Sequence, residues 1–390
     1  MRTYERTHPW LTFTVEMGKA PARLWLLLGE ASSKCEHVGG VPLRPETQVR
    51  LHRIYLAKGV LATTAIEGNT LTEQQVLDHL EGKLQLPVSK EYLAREIDNI
   101  VEQCNKISKE ILEGSAVKPL TRAEIEAFNL GVLRGLSLEG GVVPGQSRRH
   151  QAGVPGYRGC PPDDCDHLLD LLCEWLNGPQ FEAKPGEEVA VAILKATLAH
   201  LYLVWIHPFG DGNGRTARLL ELRILMDAGI PTPACHLLSN HYNETRSEYY
   251  RQLANASKSG GDVLPFVEYA VQGFVDGLRE QIELIRREQL DAIWRNYVRE
   301  KIPESKSASD IRRRALVLDL SRGDQMVPVA ELNMISPRVA EAYAGKTKKT
   351  ITRDINALIK MELVERSGGG VRAAKEQILA FLPGRRARIR

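Results

Sequence analysis

The sequence predicts a mainly α-helical protein with one small β-hairpin region in its first 300 residues and a separate basic domain at its C-terminus. Three observations carry this. Apolar residues recur at helical spacing through most of the chain, and the runs Val189–Ile206 and Leu219–Met226 are apolar nearly all round, as buried core helices are. In those first 300 residues, extended Gly/Pro-rich sequence is confined to 140–162. Charge is unevenly divided: residues 309–390 hold 17 Lys/Arg against 9 Asp/Glu, a net +8, whereas 1–308 hold 35 against 40, a net −5. That local basicity permits contact with nucleic acid.

With 390 residues, 43% hydrophobic and 26% charged, the chain is long enough for two or three globular domains. Their expected bounds are 1–110, 111–302 and 309–390. No uncharged apolar run reaches 18 residues, so no membrane contact is expected, and the first ten residues lack a signal-peptide core. Six scattered cysteines show no disulfide framework, which suits reduced thiols in a cytoplasm.

An extended start leads to a short helix from Pro21 and a loop at Gly39-Gly40-Val41-Pro42. A helix from Pro45 to about Ala65 places Leu51, Ile54, Tyr55, Val60 and Leu61 at helical spacing, and Gly68 and Asn69 suit its stop. Thr70 and Glu73 have capping-box spacing for the next helix. A long helix follows over Glu91–Leu112, then one from Thr121, with Glu124 three residues on, to about Leu136. Within 140–162, Arg148–Gly156 fits a short hairpin. A helix spans Asp166–Asn177; Cys160, Cys165, His167 and Cys173 around it lack zinc spacing. His200 lies on an apolar helix and reads as a core histidine. Residues 262 to about 301 form long helix, and 303–309 a polar linker.

Between the two apolar runs stands His207-Pro208-Phe209-Gly210-Asp211-Gly212-Asn213-Gly214-Arg215-Thr216-Ala217-Arg218, a tight loop ending at a helix N-terminus. Alternating Gly210, Gly212 and Gly214 let backbone amides approach a ligand and form an anion cradle with the free N–H groups of the next helix. Arg215 and Arg218 share a face of its first turn and suit a polyphosphate. Asp211 is a natural Mg²⁺ ligand beside phosphates, and His207 suits a base near neutral pH. A dinucleotide fingerprint would need a strand before the glycines, and a P-loop would need Gly-Lys-Ser/Thr; neither is present.

This stretch resembles the Fic motif, H-x-F-x-[D/E]-G-N-G-R-x-x-R, at every fixed position. The resemblance implies a protein adenylyltransferase, which moves AMP from ATP, with Mg²⁺, onto a Ser, Thr or Tyr hydroxyl of a protein. It implies that His207 is the base, Asp211 the Mg²⁺ ligand, Gly212, Asn213 and Gly214 the anion hole and α-phosphate contacts, and Arg215 and Arg218 the β/γ-phosphate clamps, with Phe209 the loop's anchor. Thr63-x-x-x-Glu67-Gly68 matches the [S/T]-x-x-x-E-[G/N] pattern of the inhibitory helix in this family, so Glu67 would pair with Arg218 and exclude the γ-phosphate. The same Glu67 could instead position a water that removes AMP. The hairpin would be the flap that aligns a target segment. Asn240, Tyr242, Tyr249 and Tyr250 are candidates for adenine and ribose contacts, with core packing an equal account of the tyrosines. The partners implied are a protein bearing an acceptor hydroxyl, the chain itself as target, and a second copy of the chain.

Residues 309–390 resemble a winged helix-turn-helix: a helix over 309–321, the segment from Val327, a helix over Ser336–Ala344, Gly345, a helix over Thr347–Leu363, and a hairpin whose tip is Gly368-Gly369-Gly370. Lys348, Lys349, Thr350, Thr352 and Arg353 suit DNA phosphates and base edges, though such folds also serve protein contact or dimerisation. The resulting expectation is an adenylyltransferase restrained by Glu67. The alternatives are a nucleotide-sensing, DNA-binding regulator and a toxin-type protein restrained by a second chain; an intact His207 argues against the first, the internal Thr63–Glu67 pattern against the second.

Overall fold

A computed structural model describes residues 2–114, 118–154, 157–303 and 307–379. Its contacts divide the chain into two compact units, Met1–Glu283 and Leu284–Arg390.

The first unit is helical. After α1 (Thr3–Thr7), α2 spans Ala22–Gly40, well beyond the short helix expected. Leu24, Leu27, Leu28, Ala31 and Cys35 recur on one buried face, and that face carries the helix through Gly39 and Gly40. Next come α3 (Pro45–Ala65), with proline in its first turn, and α4 (Glu73–Leu80). The capping box of α4 is Thr72 with Gln75, not Thr70 with Glu73. Leu71 and Val76, at the two positions of a hydrophobic staple around that cap, are both buried, which fixes the helix start two residues later.

Then come α5 (Glu91–Glu113) and α6 (Arg122–Val132). Thr121 caps α6 by accepting the Glu124 amide at 3.2 Å, and the helix ends short of Leu136 in a turn with Gly135 at φ +69°. The strands β1 (Gly153–Val154) and β2 (Tyr157–Arg158) pair antiparallel, Val154 opposite Tyr157; Pro155 and Gly156 lie outside the described residues. The hairpin thus sits beyond the expected 148–156, for a reason given below.

The unit closes with α7 (Cys165–Leu176), α8 (Glu188–Ile206), α9 (Asn213–Asp227), α10 (Leu237–Glu244), α11 (Arg246–Lys258) and the first part of α12 (Leu264–Lys301). At its centre α8 packs on α9, which also meets α3, α5 and α6. By length and mean hydropathy (19 residues, 1.9) α8 could cross a membrane, but 72% of that span is buried inside the protein, where it serves as the core helix.

The second unit contains α13 (Ala308–Leu320), β3 (Val327–Pro328), α14 (Pro337–Tyr343), α15 (Lys348–Lys360), β4 (Val364–Ser367) and β5 (Gly370–Ala373). The sheet is antiparallel in the order β3-β5-β4, and Gly368 and Gly369 turn the β4–β5 hairpin at positive φ. Trp294, Val298 and Ile302 share its core with Leu316, Ile355, Leu358 and Val371. Asp354 of α15 is fully buried and accepts from Arg312 at 3.2 Å, Arg313 at 2.9 Å and the Tyr343 hydroxyl at 3.2 Å.

Removing one partner of a buried ion pair strands the other. Asp354→Ala is therefore expected to destabilise this unit by about 3 kcal/mol, read as faster exchange of the core amides of α13 and α15 in the full chain. A destabilisation below about 0.5 kcal/mol, the size of an ordinary surface substitution, would contradict the assignment.

Candidate active site

Two side chains from outside the His207–Arg218 loop, Arg148 and Asn129, hold its backbone. His207 caps α8 in the left-handed region (φ +51°), an uncommon conformation for a residue with a side chain. Arg148, buried, donates from Nε to the His207 carbonyl (2.7 Å), from Nη1 to His150 (2.8 Å) and from Nη2 to Cys160 (2.5 Å). This is why the hairpin begins later than expected: Ser147 bridges Phe209, the Arg148 amide donates to the Pro208 carbonyl, and Arg148 is a staple instead of a strand residue. Asn129 of α6 donates to the Asp211 carbonyl (2.9 Å) and accepts the Gly145 amide (2.9 Å). Within the loop, Asn213 brackets the buried Phe209, accepting its amide and donating to its carbonyl, both at 2.9 Å.

The loop forms one wall of a cleft of about 710 Å³. His207, Gly210, Asp211, Gly212, Asn213 and Gly214 line it, with Glu67 on one side, Val154 and Tyr157 of the hairpin on another, and Arg246, Tyr249, Tyr250 and Lys258 opposite. Gly212, at φ +77°, is the N-cap of α9 and has no side chain to occupy the first-turn amides, so the helix presents them and its positive end to the cleft. The Asp211 carboxylate is about half exposed, 3.1 Å from Arg215 Nη2. Burial, reinforced by Arg148, pushes the His207 imidazole down to about 4, which leaves it unprotonated at neutral pH.

Both motif arginines are covered. Arg215 contacts Glu96 at 3.2 Å and Asp211 at 3.1 Å. Burial pushes the Glu96 carboxyl up, and the Asn69 amide donates to its other oxygen at 2.8 Å. Arg218 donates from Nη2 to the Thr63 carbonyl (2.9 Å) and to Glu67 Oε1 (2.5 Å), while its buried Nε and Nη1 have no hydrogen-bond partner among the described residues. Burial alone would push the Glu67 carboxyl up; Arg218, with Arg215 and Arg246, outweighs it and holds the group ionised. Gly68, at φ +108°, closes the turn that carries Glu67 off the end of α3. At Gly214 a Cβ would lie 2.3 Å from Glu67 Oε1, so a larger residue there would shift that carboxylate.

Of the loop residues predicted from sequence, His207, Asp211, Gly212, Asn213 and Gly214 line one cleft together with Glu67, whereas Arg215 and Arg218 do not line it and are buried against Glu96, Asp211 and Glu67; Thr63 takes part through its carbonyl. Asn213's side chain is committed to Phe209, leaving its backbone N–H to face a ligand. Asn240 and Tyr242 do not line the cleft. Tyr242 is wholly buried and donates to Glu221 at 2.9 Å, because the chain breaks at Thr245 between α10 and α11 and only the second helix turns its tyrosines, Tyr249 and Tyr250, to the opening. His200 is a core histidine, 2.8 Å from the Tyr249 hydroxyl. Among the described residues no three His, Cys, Asp or Glu side chains gather as a metal cage. Sequence reasoning missed Arg148, Asn129, Glu96 and Arg246. Only Arg148, a cation inside a Gly/Pro-rich loop, gave a local signal.

Residues 119–225 match the Fic/DOC family. The chain is similar to the protein adenylyltransferase Fic of Nematostella vectensis, 30% identical over 211 residues (54% of this chain, 45% of that protein). It is also similar to protein adenylyltransferase fic-1 of Caenorhabditis briggsae, 33% identical over 221 residues (55% and 38%). The chain thus spans less than half the length of these curated relatives. Among solved structures, a Fic family protein from Desulfovibrio desulfuricans superposes with a TM-score of 0.57 at 21% identity, over 90% of this chain and 96% of that one. Fic-1 from C. elegans does so with 0.55 at 26%, over 68% and 73%.

The His207 assignment gives a pH test. A neutral imidazole down to about pH 4 means that the unfolded chain, with its ordinary value near 6.5, takes up a proton first. Stability from this group is thus flat above pH 6.5 and falls as the pH drops from there towards 4. NMR of histidine-labelled protein should show the His207 ring unprotonated throughout pH 5.5–8. A midpoint near 6.5 would mean that burial and Arg148 do not act on it as described.

Proposed function

We propose that the chain is a protein adenylyltransferase restrained by its own Glu67. The carrying observation is a set of groups at one cleft, a neutral imidazole, an uncapped helix N-terminus and a half-exposed carboxylate, with a buried guanidinium bound to Glu67 of the cleft wall and two of its donors without a partner among the described residues. The relatives' names support AMP as the transferred group. ATP would set its phosphates on the α9 amides, with Arg215 and Arg218 as the anion clamps. The acceptor oxygen of a Ser, Thr or Tyr attacks the α-phosphorus, its proton passes to His207, the α–β bridging P–O bond breaks and pyrophosphate leaves. Asp211 is the residue that would hold Mg²⁺: a single half-exposed carboxylate suits an ion that takes its other ligands from phosphate and water and neutralises phosphate charge. Tyr249 and Tyr250 replace Asn240 and Tyr242 as candidates for the base and ribose.

Restraint follows from charge. Glu67 takes the Arg218 donor that a γ-phosphate would need and sets a carboxylate where that phosphate would lie. Removal of AMP by a Glu67-held water belongs to the same site. Within the described residues, 309–379 fit a winged helix-turn-helix, with α14 and α15 as the helix pair and β4–β5 as the wing.

Labelled ATP tests this. Protein label from the α-phosphate, but none from the γ-phosphate, should rise at least about fivefold in Glu67→Gly, the low end of site-to-site coupling, and vanish in Glu67→Gly/His207→Ala. Absence of label in Glu67→Gly, on itself and in a lysate, would sink the proposal.

A further inference from the structure

We propose that α15 docks in the major groove of double-helical DNA. The observation is a charged face that the fold leaves unanswered. Lys348, Lys349, Thr352, Arg353, Asn356 and Lys360 are all exposed, and with Ala357 they line one shallow groove of about 540 Å³ that contains four cations and no carboxylate. The spacing of 348, 352, 356 and 360, with 349 and 353 beside them, makes this a continuous stripe along the helix. Ile351, Ile355 and Leu358 bury the opposite face.

The absence of acid from the stripe is structural. The one carboxylate of α15, Asp354, is turned wholly inward and neutralised by Arg312 and Arg313. Several other basic side chains of this unit are ion-paired: Arg322 and Arg338 pair with Asp319, and Arg372 and Lys375 with Glu365, Glu376 and Asp291. Lys348, Lys349, Arg353 and Lys360 form no ion pair within the described residues. Among the described residues these four stand together on one helix face with no carboxylate paired to them.

Shape selects the polyanion. A helix with side chains is about 10–12 Å across and the B-DNA major groove about 12 Å wide. Thr352 and Asn356, interleaved with the cations, carry the hydrogen-bonding groups that meet base edges. A membrane surface would need large apolar side chains beside the lysines, and the stripe has none. Gly345, at φ +68°, makes the tight turn from α14 into α15, as a helix pair presenting its second helix requires.

The test is anisotropy of a labelled random duplex of about 30 base pairs, long enough to engage several phosphates at once, titrated with the full chain between 50 and 200 mM salt. Binding should weaken with salt. Lys349→Ala/Arg353→Ala/Lys360→Ala should flatten the slope of log affinity against log salt by about 1 for each phosphate left without its cation, on unrelated sequences alike. These residues are exposed, so the variant keeps its fold, checked by the same amide exchange used for Asp354. No binding at 50 mM salt, an unchanged slope in the variant, or tighter capture by phosphatidylserine vesicles than by the duplex would each overturn the proposal. The result is independent of AMP transfer: either activity can fail alone.

Discussion

A helix in the middle of a protein that carries four buried charges needs each of them answered. That is the constraint on α9, where Arg215, Arg218, Glu221 and Arg223 are all at most 5% exposed. The answers come from separate elements: Glu96 on α5, Glu67 beyond α3, Tyr242 on α10 and Glu124 on α6. An apolar helix could pack in many rotations with similar burial, whereas four charges at fixed positions admit one. Such pairs add little net stability, because removing each ion from water costs several kcal/mol. What they supply is register: they fix which face of α9 meets which neighbour, and so where its N-terminus points.

Of the four, Arg218 is the least completely answered. Two of its buried nitrogens lack partners among the described residues, and its one carboxylate arrives on a turn, not on a packed helix face. A buried guanidinium demands an anion, and the depth of the site restricts candidates to whatever can reach it through the cleft or from the end of α3. Thr63 and Gly68 shape that second route, one through a carbonyl and the other through a left-handed turn. The Glu67 turn is tied down again by Asn69, which bonds the Leu93 carbonyl and Glu96, itself on Arg215. The two arginines are therefore linked through the same short segment, and movement of that segment would change the surroundings of both.

The parts legible in the sequence were those with local causes. Glycines at fixed spacing, a helix stop and two apolar runs specify the loop at 207–218 without reference to the rest of the chain. The parts that were not legible depend on residues far apart. Arg148 meets His207 across 59 positions, Asn129 meets Asp211 across 82 and Glu96 meets Arg215 across 119, and no periodicity encodes such pairings. The tyrosines show an intermediate case. Tyr242 and Tyr249 are seven residues apart and would share a face of one continuous helix, but a break at Thr245 gives them different surroundings. The cap of α4 failed for a similar reason: two Thr residues offered the same chemistry, and burial of Leu71 and Val76 decided between them.

The same logic of answered and unanswered charge distinguishes the two units. In the first, Arg215 and Arg218 are buried and paired with Glu96 and Glu67, so an anion that reaches them must compete with an internal one. In the second, Asp354 is withdrawn into the core and the cations of α15 stand in solvent with nothing to displace. On the proposed function, a site of the first kind would be selective, because an anion would reach Arg218 only by displacing Glu67. A surface of the second kind is permissive, and its affinity follows ionic strength. One chain thus presents positive charge in two physically different ways, and both follow from where its acidic residues are placed.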